Sequence, residues 1–169
     1  MSAGPPSFCV RSAHQADIPL IASLEAALFP DAWSAESLRR YASTGAGSTG
    51  SAACVAEPSP AAAGEAEIVP PATLAGYLLC SWVLDEATIE RVGVASACRR
   101  MGVGWALVEH ATRVLGERGV RQLWLEVAAS NAGAIKLYER AGFRTVSIRR
   151  RYYAGPPPDD ALVMNKVIA

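Results

Sequence analysis

The sequence predicts an α/β fold of the α+β kind, with helices packed on a mixed sheet in one domain. Three observations carry this. An apolar run, Ala87 to Ala95, leads through a glycine turn into a helical repeat, in which Val103, Ala106, Leu107, His110, Ala111, Val114 and Leu115 recur at helical spacing. A second apolar run, Arg121 to Ala128, is again followed by a helix. The chain then closes with two short strand-like runs and no helix between them, which reads as an antiparallel pair.

The elements follow in order. Phe8 to Ser12 reads as a first strand. Asp17-Ile18-Pro19 opens a helix, with Asp17 as its cap, proline tolerated in the first turn, and Ile18, Ile21, Leu24 and Leu28 on the buried face. Phe29 to Ser34 breaks that helix, and a second one starts at Ser34. From Ala42 to Pro71 Gly, Ser, Ala and Pro dominate, apart from a strand at Ala53 to Glu57, so residues 58–71 read as a flexible hairpin insertion. Strands at Thr73 to Leu84 and Ala87 to Ala95 flank a turn at Asp85-Glu86. Gly119 stops the helix after the glycine turn. Arg121 to Ala128 is so apolar that it reads as a central strand buried on both faces. Ser130 or Asn131 caps the next helix, which ends at Ala141-Gly142. Strands at Phe143 to Arg149 and Ala161 to Val167 finish the fold, which treats residues 1–169 as a single domain.

Composition narrows the class. With 169 residues the chain is long enough for a real core. Sixteen basic residues balance sixteen acidic ones, so no global field draws the chain to nucleic acid or a membrane. Cys9, Cys54, Cys80 and Cys98 are scattered without a C-x-x-C pair, and His14 and His110 lack ligand spacing, so neither a metal nor a disulfide framework is expected. No signal-like start and no apolar run of about 18 residues is visible, so a soluble, cytoplasmic protein is expected.

The glycine turn, Arg99-Arg100-Met101-Gly102-Val103-Gly104-Trp105, is the first chemical signal. Between a strand and a helix, glycines let backbone approach an anion, and the free N–H groups of the helix start point at it. The turn is not a Walker loop, because no Gly-Lys-Ser/Thr follows, and it lacks the third glycine of a dinucleotide fingerprint. The plainer reading, a tight turn whose glycines relieve crowding, stands beside the phosphate reading.

Three ordered motifs add specificity: Arg99 to Gly104, Leu123-Trp124-Leu125-Glu126-Val127, and Ser130-Asn131-Ala132-Gly133-Ala134-Ile135-Lys136-Leu137-Tyr138 running on to Gly142-Phe143. Together they resemble the Gcn5-related N-acetyltransferase (GNAT) superfamily, whose pyrophosphate signature Gln/Arg-x-x-Gly-x-Gly/Ala is matched by Arg99, Gly102 and Gly104. Phe29-Pro-x-x-Trp33-Ser34, Val83 to Thr88, Leu125 to Asn131 and Arg149-x-x-Tyr-Tyr153 make the chain similar to the RimI family of ribosomal-protein alanine N-acetyltransferases, from about Val10 to Lys166.

The resemblance implies a mostly antiparallel mixed sheet flanked by helices, whose parallel strands 4 and 5 splay apart around acetyl-CoA. It implies a protein N-terminal alanine, on a small-subunit ribosomal protein, as acceptor. On matching positions it implies that Val92, Gly93 and Val94 offer backbone to the cofactor, and that Arg99, Arg100, Met101, Gly102, Val103, Gly104 and Trp105 cradle the pyrophosphate. Asn131 would bond the cofactor, Glu126 would act as base and Tyr138 as acid. Trp105 departs from the small or basic residue usual after the second glycine.

The residue types suit acetyl transfer to an amine. An α-amine titrates near 7.7–8.0, so roughly a tenth is neutral at pH 7 and one carboxylate suffices as base. Glu126 is the odd residue of an apolar strand, where desolvation is expected to raise its pKa; a solvated strand end or an arginine pair is the alternative. Tyr138 lies seven residues after Asn131, on the same helix face, and a phenol donates to a thiolate while staying protonated; a core tyrosine is the alternative. Asp85 and Glu86 read as a substrate contact or an exposed turn. Arg149 to Arg151 read as a phosphate or ribosome contact, or a solvated strand end. Tyr152, Tyr153 and Trp33 read as acceptor-groove walls or as packing. Two other functions remain open at this stage: a GNAT acting on other protein N-termini or a small-molecule amine, and a non-catalytic acyl-CoA-binding module.

Overall fold

The computed structural model describes residues 8–42, 47–58 and 73–168. Seven strands form one sheet: β1 (Phe8–Ser12), β2 (Thr49–Pro58), β3 (Gly76–Val83), β4 (Glu86–Val94), β5 (Gln122–Ala128), β6 (Arg144–Tyr153) and β7 (Asp159–Val167). Their order is β1-β2-β3-β4-β5-β7-β6. Every neighbouring pair is antiparallel except β4 and β5, which run parallel. Helices α1 (Ile18–Leu28), α2 (Ala35–Leu38), α3 (Val103–Glu117) and α4 (Ala132–Arg140) flank the sheet.

Two apolar clusters hold these layers. The larger joins α3, through Val103, Leu107, Val108, Ala111 and Leu115, to strand residues such as Leu78, Ile89, Leu123 and Leu125. The smaller packs Ile18 and Ile21 of α1 and Leu38 of α2 onto Val55, Tyr77 and Leu79. Burial of these side chains is the main favourable term in folding, about 1.5–3 kcal/mol for each large one.

Several expected boundaries shift, for local reasons. β2 runs from Thr49 to Pro58, well beyond the expected Ala53–Glu57. Its first half is small and polar because Gly50 faces Trp82 of β3, and a Cβ there would stand 2.5 Å from the indole. β3 starts at Gly76 rather than Thr73. The β3–β4 turn is Leu84-Asp85, not Asp85-Glu86: Val83 pairs with Glu86, and Leu84 takes the positive φ (57°) that a two-residue hairpin demands. The helix expected from Ser34 is only Ala35–Leu38, capped by Ser34 and continued by a 3₁₀ turn at Arg39–Ala42. β6 extends to Tyr153 and β7 begins at Asp159, so the closing hairpin is longer than expected. The expected 58–71 insertion lies outside the described residues except for Pro58, the last residue of β2.

One correction bears on function. β5 is central but is not buried on both faces. Leu123, Leu125 and Val127 are buried, whereas Trp124, Glu126 and Ala128 alternate with them on a half-open face. No helix among the described residues is long and apolar enough to cross a membrane.

Candidate active site

The parallel pairing of β4 with β5 runs only from Glu86↔Gln122 to Ile89↔Leu125. Beyond it, residues 90–94 have no register partner on β5, although residues 91–94 stay paired with β3, and β5 goes on to Ala128 beside β7. The two strands therefore part in mid-sheet. A register shift at Leu79/Cys80 leaves Glu90 as the extra residue of β4 where the gap begins. Two concavities border this gap.

The first, about 480 Å³, lies between the α3 N-terminus and α4 and reaches β4 at Val94. Arg99, Arg100, Gly102, Val103, Gly104 and Trp105 line one side. Gly102 caps α3 with φ +85°, and a Cβ there would meet open space, so the left-handed backbone is what calls for glycine. Gly104 answers to a close approach instead: its Cβ would stand 2.6 Å from a Leu137 methyl of α4. The crowding reading of the turn thus has a physical basis at Gly104, while Gly102 answers to backbone conformation. Among the described residues the cavity lining holds no carboxylate, and the unbonded N–H groups of the α3 start open beside it. A phosphate-bearing cofactor fits this lining.

Of the other predicted cofactor contacts, Val94 lines this cavity, whereas Val92, Gly93, Met101 and Asn131 do not. Gly93 is buried, with the ring of Tyr77 where its Cβ would be, and Val92 packs against the main core. Met101 is half exposed and outside the cavity lining. Asn131 also lies outside the lining; its Oδ1 accepts from the Ala134 N–H at 3.1 Å and caps α4.

The second concavity, about 590 Å³, is a cleft on the open face of the sheet. Glu86, Glu90, Trp124, Glu126, Tyr152 and Tyr153 are among its walls. Glu126 stands here, but not as the desolvated carboxylate expected. Its side chain is 27% accessible and pairs with Arg149 at 3.0 Å, because the alternation of β5 turns it to the half-open face. A hydrogen bond from the Tyr152 phenol to Glu126 pushes that phenol's pKa up. Tyr153 meets Tyr152 edge-on, with ring centroids 5.2 Å apart. Arg150 pairs with Asp160 instead, at 2.8 Å. Tyr138 is buried, edge-on to Phe143, and burial, aided by Tyr153, pushes its phenol up to about 12. It remains a proton donor at any physiological pH.

Sequence reading missed a group beside the cleft. Arg91 lies over the rings of Phe29 (4.5 Å) and Trp33 (4.9 Å) and pairs with Asp31 and Glu25 at 3.2 Å each. Glu25 is fully buried and also accepts from the Trp33 N–H and the Tyr77 hydroxyl. This cluster clamps the turn after α1 onto β4. Trp33, read as a groove wall or as packing, packs here and against Tyr41. Trp124 was also missed: its indole N–H is buried with no partner among the described residues, in a side chain lining the cleft.

Arg91→Met is expected to cost about 2–4 kcal/mol of stability at pH 7.5, because it strands the Glu25 carboxylate in the interior. Burial already holds the Glu25 pKa above its ordinary value, against the pull of the Trp33 N–H and Arg91. A raised native-state pKa gives stability that is complete below about 4.5 and is lost as pH rises through the native value. Removing Arg91 raises that value further, so the variant's deficit should shrink on acidification. Urea unfolding at pH 5 and 7.5 measures it; an equal deficit at both would leave only lost packing.

These features, a mixed sheet with one splayed parallel pair, a glycine turn opening α3 and a carboxylate-bearing cleft, define an acyl-transfer fold. Residues 18–143 match the acetyltransferase (GNAT) family, and the chain belongs to that family. It is 48% identical over 94 residues to the [ribosomal protein bS18]-alanine N-acetyltransferase of Escherichia coli strain K12, a match covering 54% of this chain and 62% of that protein. The chain thus spans about three-fifths of the length of the curated relatives it matches. The crystal structure of the ribosomal-protein-S18-alanine N-acetyltransferase from Escherichia coli superposes with a TM-score of 0.75 at 32% identity, covering 96% of this chain and 94% of that one. The streptothricin acetyltransferase of Streptomyces lavendulae is 39% identical over 84 residues, 48% of this chain and 44% of that protein.

Proposed function

We propose that this acetyltransferase moves an acetyl group from acetyl-CoA to the N-terminal α-amine of a protein, and that its acceptor is the N-terminal alanine of the small-subunit ribosomal protein bS18. The observation that carries the reading is the split between β4 and β5, with a cavity whose described lining holds no carboxylate on one side and a cleft holding Glu126 and two tyrosines on the other. Identity to the bS18-alanine enzymes supports the choice of acceptor.

In this reading the glycine turn and the α3 N-terminus hold the pyrophosphate, and the unpaired length of β4 offers backbone to the pantetheine. The acceptor amine enters through the cleft. Its nitrogen bonds the acetyl carbon as the carbon–sulfur bond breaks. Glu126, directly or through a water, takes the proton that the amine loses. Tyr138 donates to the departing sulfur. The base needs little strength, because roughly a tenth of an α-amine is already neutral at pH 7. A lysine amine, near 10.4, would be some two to three units worse off.

A second reading, acetylation of a small-molecule amine, is favoured by the match to streptothricin acetyltransferase. One assay separates the two. CoA release is followed with acetyl-CoA and three acceptors: a peptide copying the start of bS18 with a free N-terminal alanine, the same peptide with a blocked α-amine and an internal lysine, and streptothricin. Turnover of the first alone is expected. Turnover of streptothricin alone would establish the second reading, and CoA binding without turnover of any amine would make the protein a binding module.

A further inference from the structure

The cavity at the α3 N-terminus carries more positive charge than one pyrophosphate uses. Among the described residues its lining holds four cationic side chains, in two groups. Arg99 and Arg100 belong to the glycine turn, beside the free N–H groups of α3. Lys136 and Arg140 come from α4 on the opposite wall. They are four residues apart, so they share one helix face with about 5–6 Å between their Cβ atoms. The Arg140 guanidinium rests over the Trp105 ring, 5.4 Å from its centroid. Trp105 is 38% exposed, so the stack stands at the cavity mouth and steadies a long side chain that would otherwise be free to move.

We infer that Lys136 and Arg140, with Arg140 steadied on Trp105, form a phosphomonoester subsite that takes the 3′-phosphate of the CoA ribose, apart from the pyrophosphate cradle on α3. The inference rests on the acetyl-CoA reading above. A phosphomonoester carries a charge of about −1.5 to −2 at pH 7 and presents three acceptor oxygens. A guanidinium fork takes two of them and an ammonium takes the third as a point charge. The pyrophosphate has a different partner set, the backbone N–H groups of the α3 start with Arg99 and Arg100. At about 480 Å³ the cavity is of a size to hold both groups.

The test is equilibrium binding by calorimetry, without any acceptor, of CoA and of 3′-dephospho-CoA. Wild type is expected to prefer CoA by about tenfold or more. The double variant Lys136→Ala/Arg140→Ala should lose that preference while binding dephospho-CoA within about twofold of wild type, because the subsite acts only on the missing phosphate. Trp105→Leu should lose part of it. Arg140→Glu should reverse it, which a misfolded variant would not do. Adenosine 3′,5′-bisphosphate should displace CoA from wild type more strongly than adenosine 5′-phosphate or inorganic phosphate does. Equal binding of CoA and dephospho-CoA by wild type would overturn the subsite and leave the cofactor reading intact. A preference that survives in the double variant would place the 3′-phosphate elsewhere. Failure of wild type to bind either compound would overturn the acetyl-CoA reading itself, and the subsite with it.

Discussion

Glu126→Gln is expected to lower kcat/KM for a free α-amine by about 10²- to 10³-fold at pH 7, the usual worth of a positioned general base. The dissociation constant for CoA should stay within about twofold, since the carboxylate belongs to the cleft and not to the cavity at the α3 N-terminus. The pH profile is the more telling readout. The variant's rate should keep climbing to about pH 9, as the amine loses its proton unaided, while wild type levels off earlier. The competing carboxylates are Glu86 and Glu90, on the same side of the cleft. Glu90 accepts from the Tyr41 hydroxyl and lies 3.6 Å from Arg40, so it is committed to the α2 side. Glu86 and Glu126 are thus the two carboxylates to compare. A loss from Glu86→Gln as large as that from Glu126→Gln would move the base to the start of β4. The measurement is steady-state kinetics of each single variant on one peptide, from pH 6 to 9.

The two parts of the site were legible to different degrees, because they are built differently. The proposed cofactor side is local. A strand end, a turn and a helix start are contiguous in sequence, so Gly102 and Gly104 announced themselves by spacing, and the structure only divides their duties between a left-handed φ and a close approach to Leu137. The cleft proposed for the acceptor is assembled from β4, β5 and the β6–β7 hairpin, so its pairings have no spacing to read. Glu126 was conspicuous as the one charge in an apolar run, but its partner Arg149 lies 23 positions further on, in an exposed basic run where three arginines look alike. Only the register of β5 and β6 on either side of β7 brings them to one face. Apolarity also misled at β5. Trp124 is large and hydrophobic, and counting it as core made both faces look buried, whereas it lines a cleft. Arg91 was invisible for a related reason. Its partners are a buried glutamate, an aspartate and two rings from the turn 58–66 positions earlier, and nothing in Glu90-Arg91-Val92 separates a buried clamp from a solvated strand residue.

Tyr138→Phe is expected to reduce kcat by about 10- to 100-fold, with a smaller change in the KM for acetyl-CoA. The size follows from the state of the phenol. Burial pushes Tyr138 up to about 12, while a thiol titrates near 8.5. Complete transfer of the proton to a thiolate would therefore run uphill by about 3 to 4 units, equivalent to about 5 kcal/mol. A donor so placed acts chiefly through a hydrogen bond to sulfur as charge develops there, and loss of one such bond in a water-poor site is worth about 2–3 kcal/mol at most. Two consequences separate this from a full proton-transfer role. No alkaline limb assignable to Tyr138 should enter the kcat profile below about pH 11. The variant should also be less impaired with an acyl donor whose leaving thiol is more acidic, since that sulfur needs less help to depart. Stability gives the control. Tyr138 and Phe143 meet edge to face at 5.8 Å, and phenylalanine preserves that contact, so the unfolding midpoint should barely move. A loss of kcat beyond about 200-fold would exceed what such a hydrogen bond supplies and would restore the proton-transfer role. No loss at all would make Tyr138 a core residue and leave the sulfur to Tyr153 or to water.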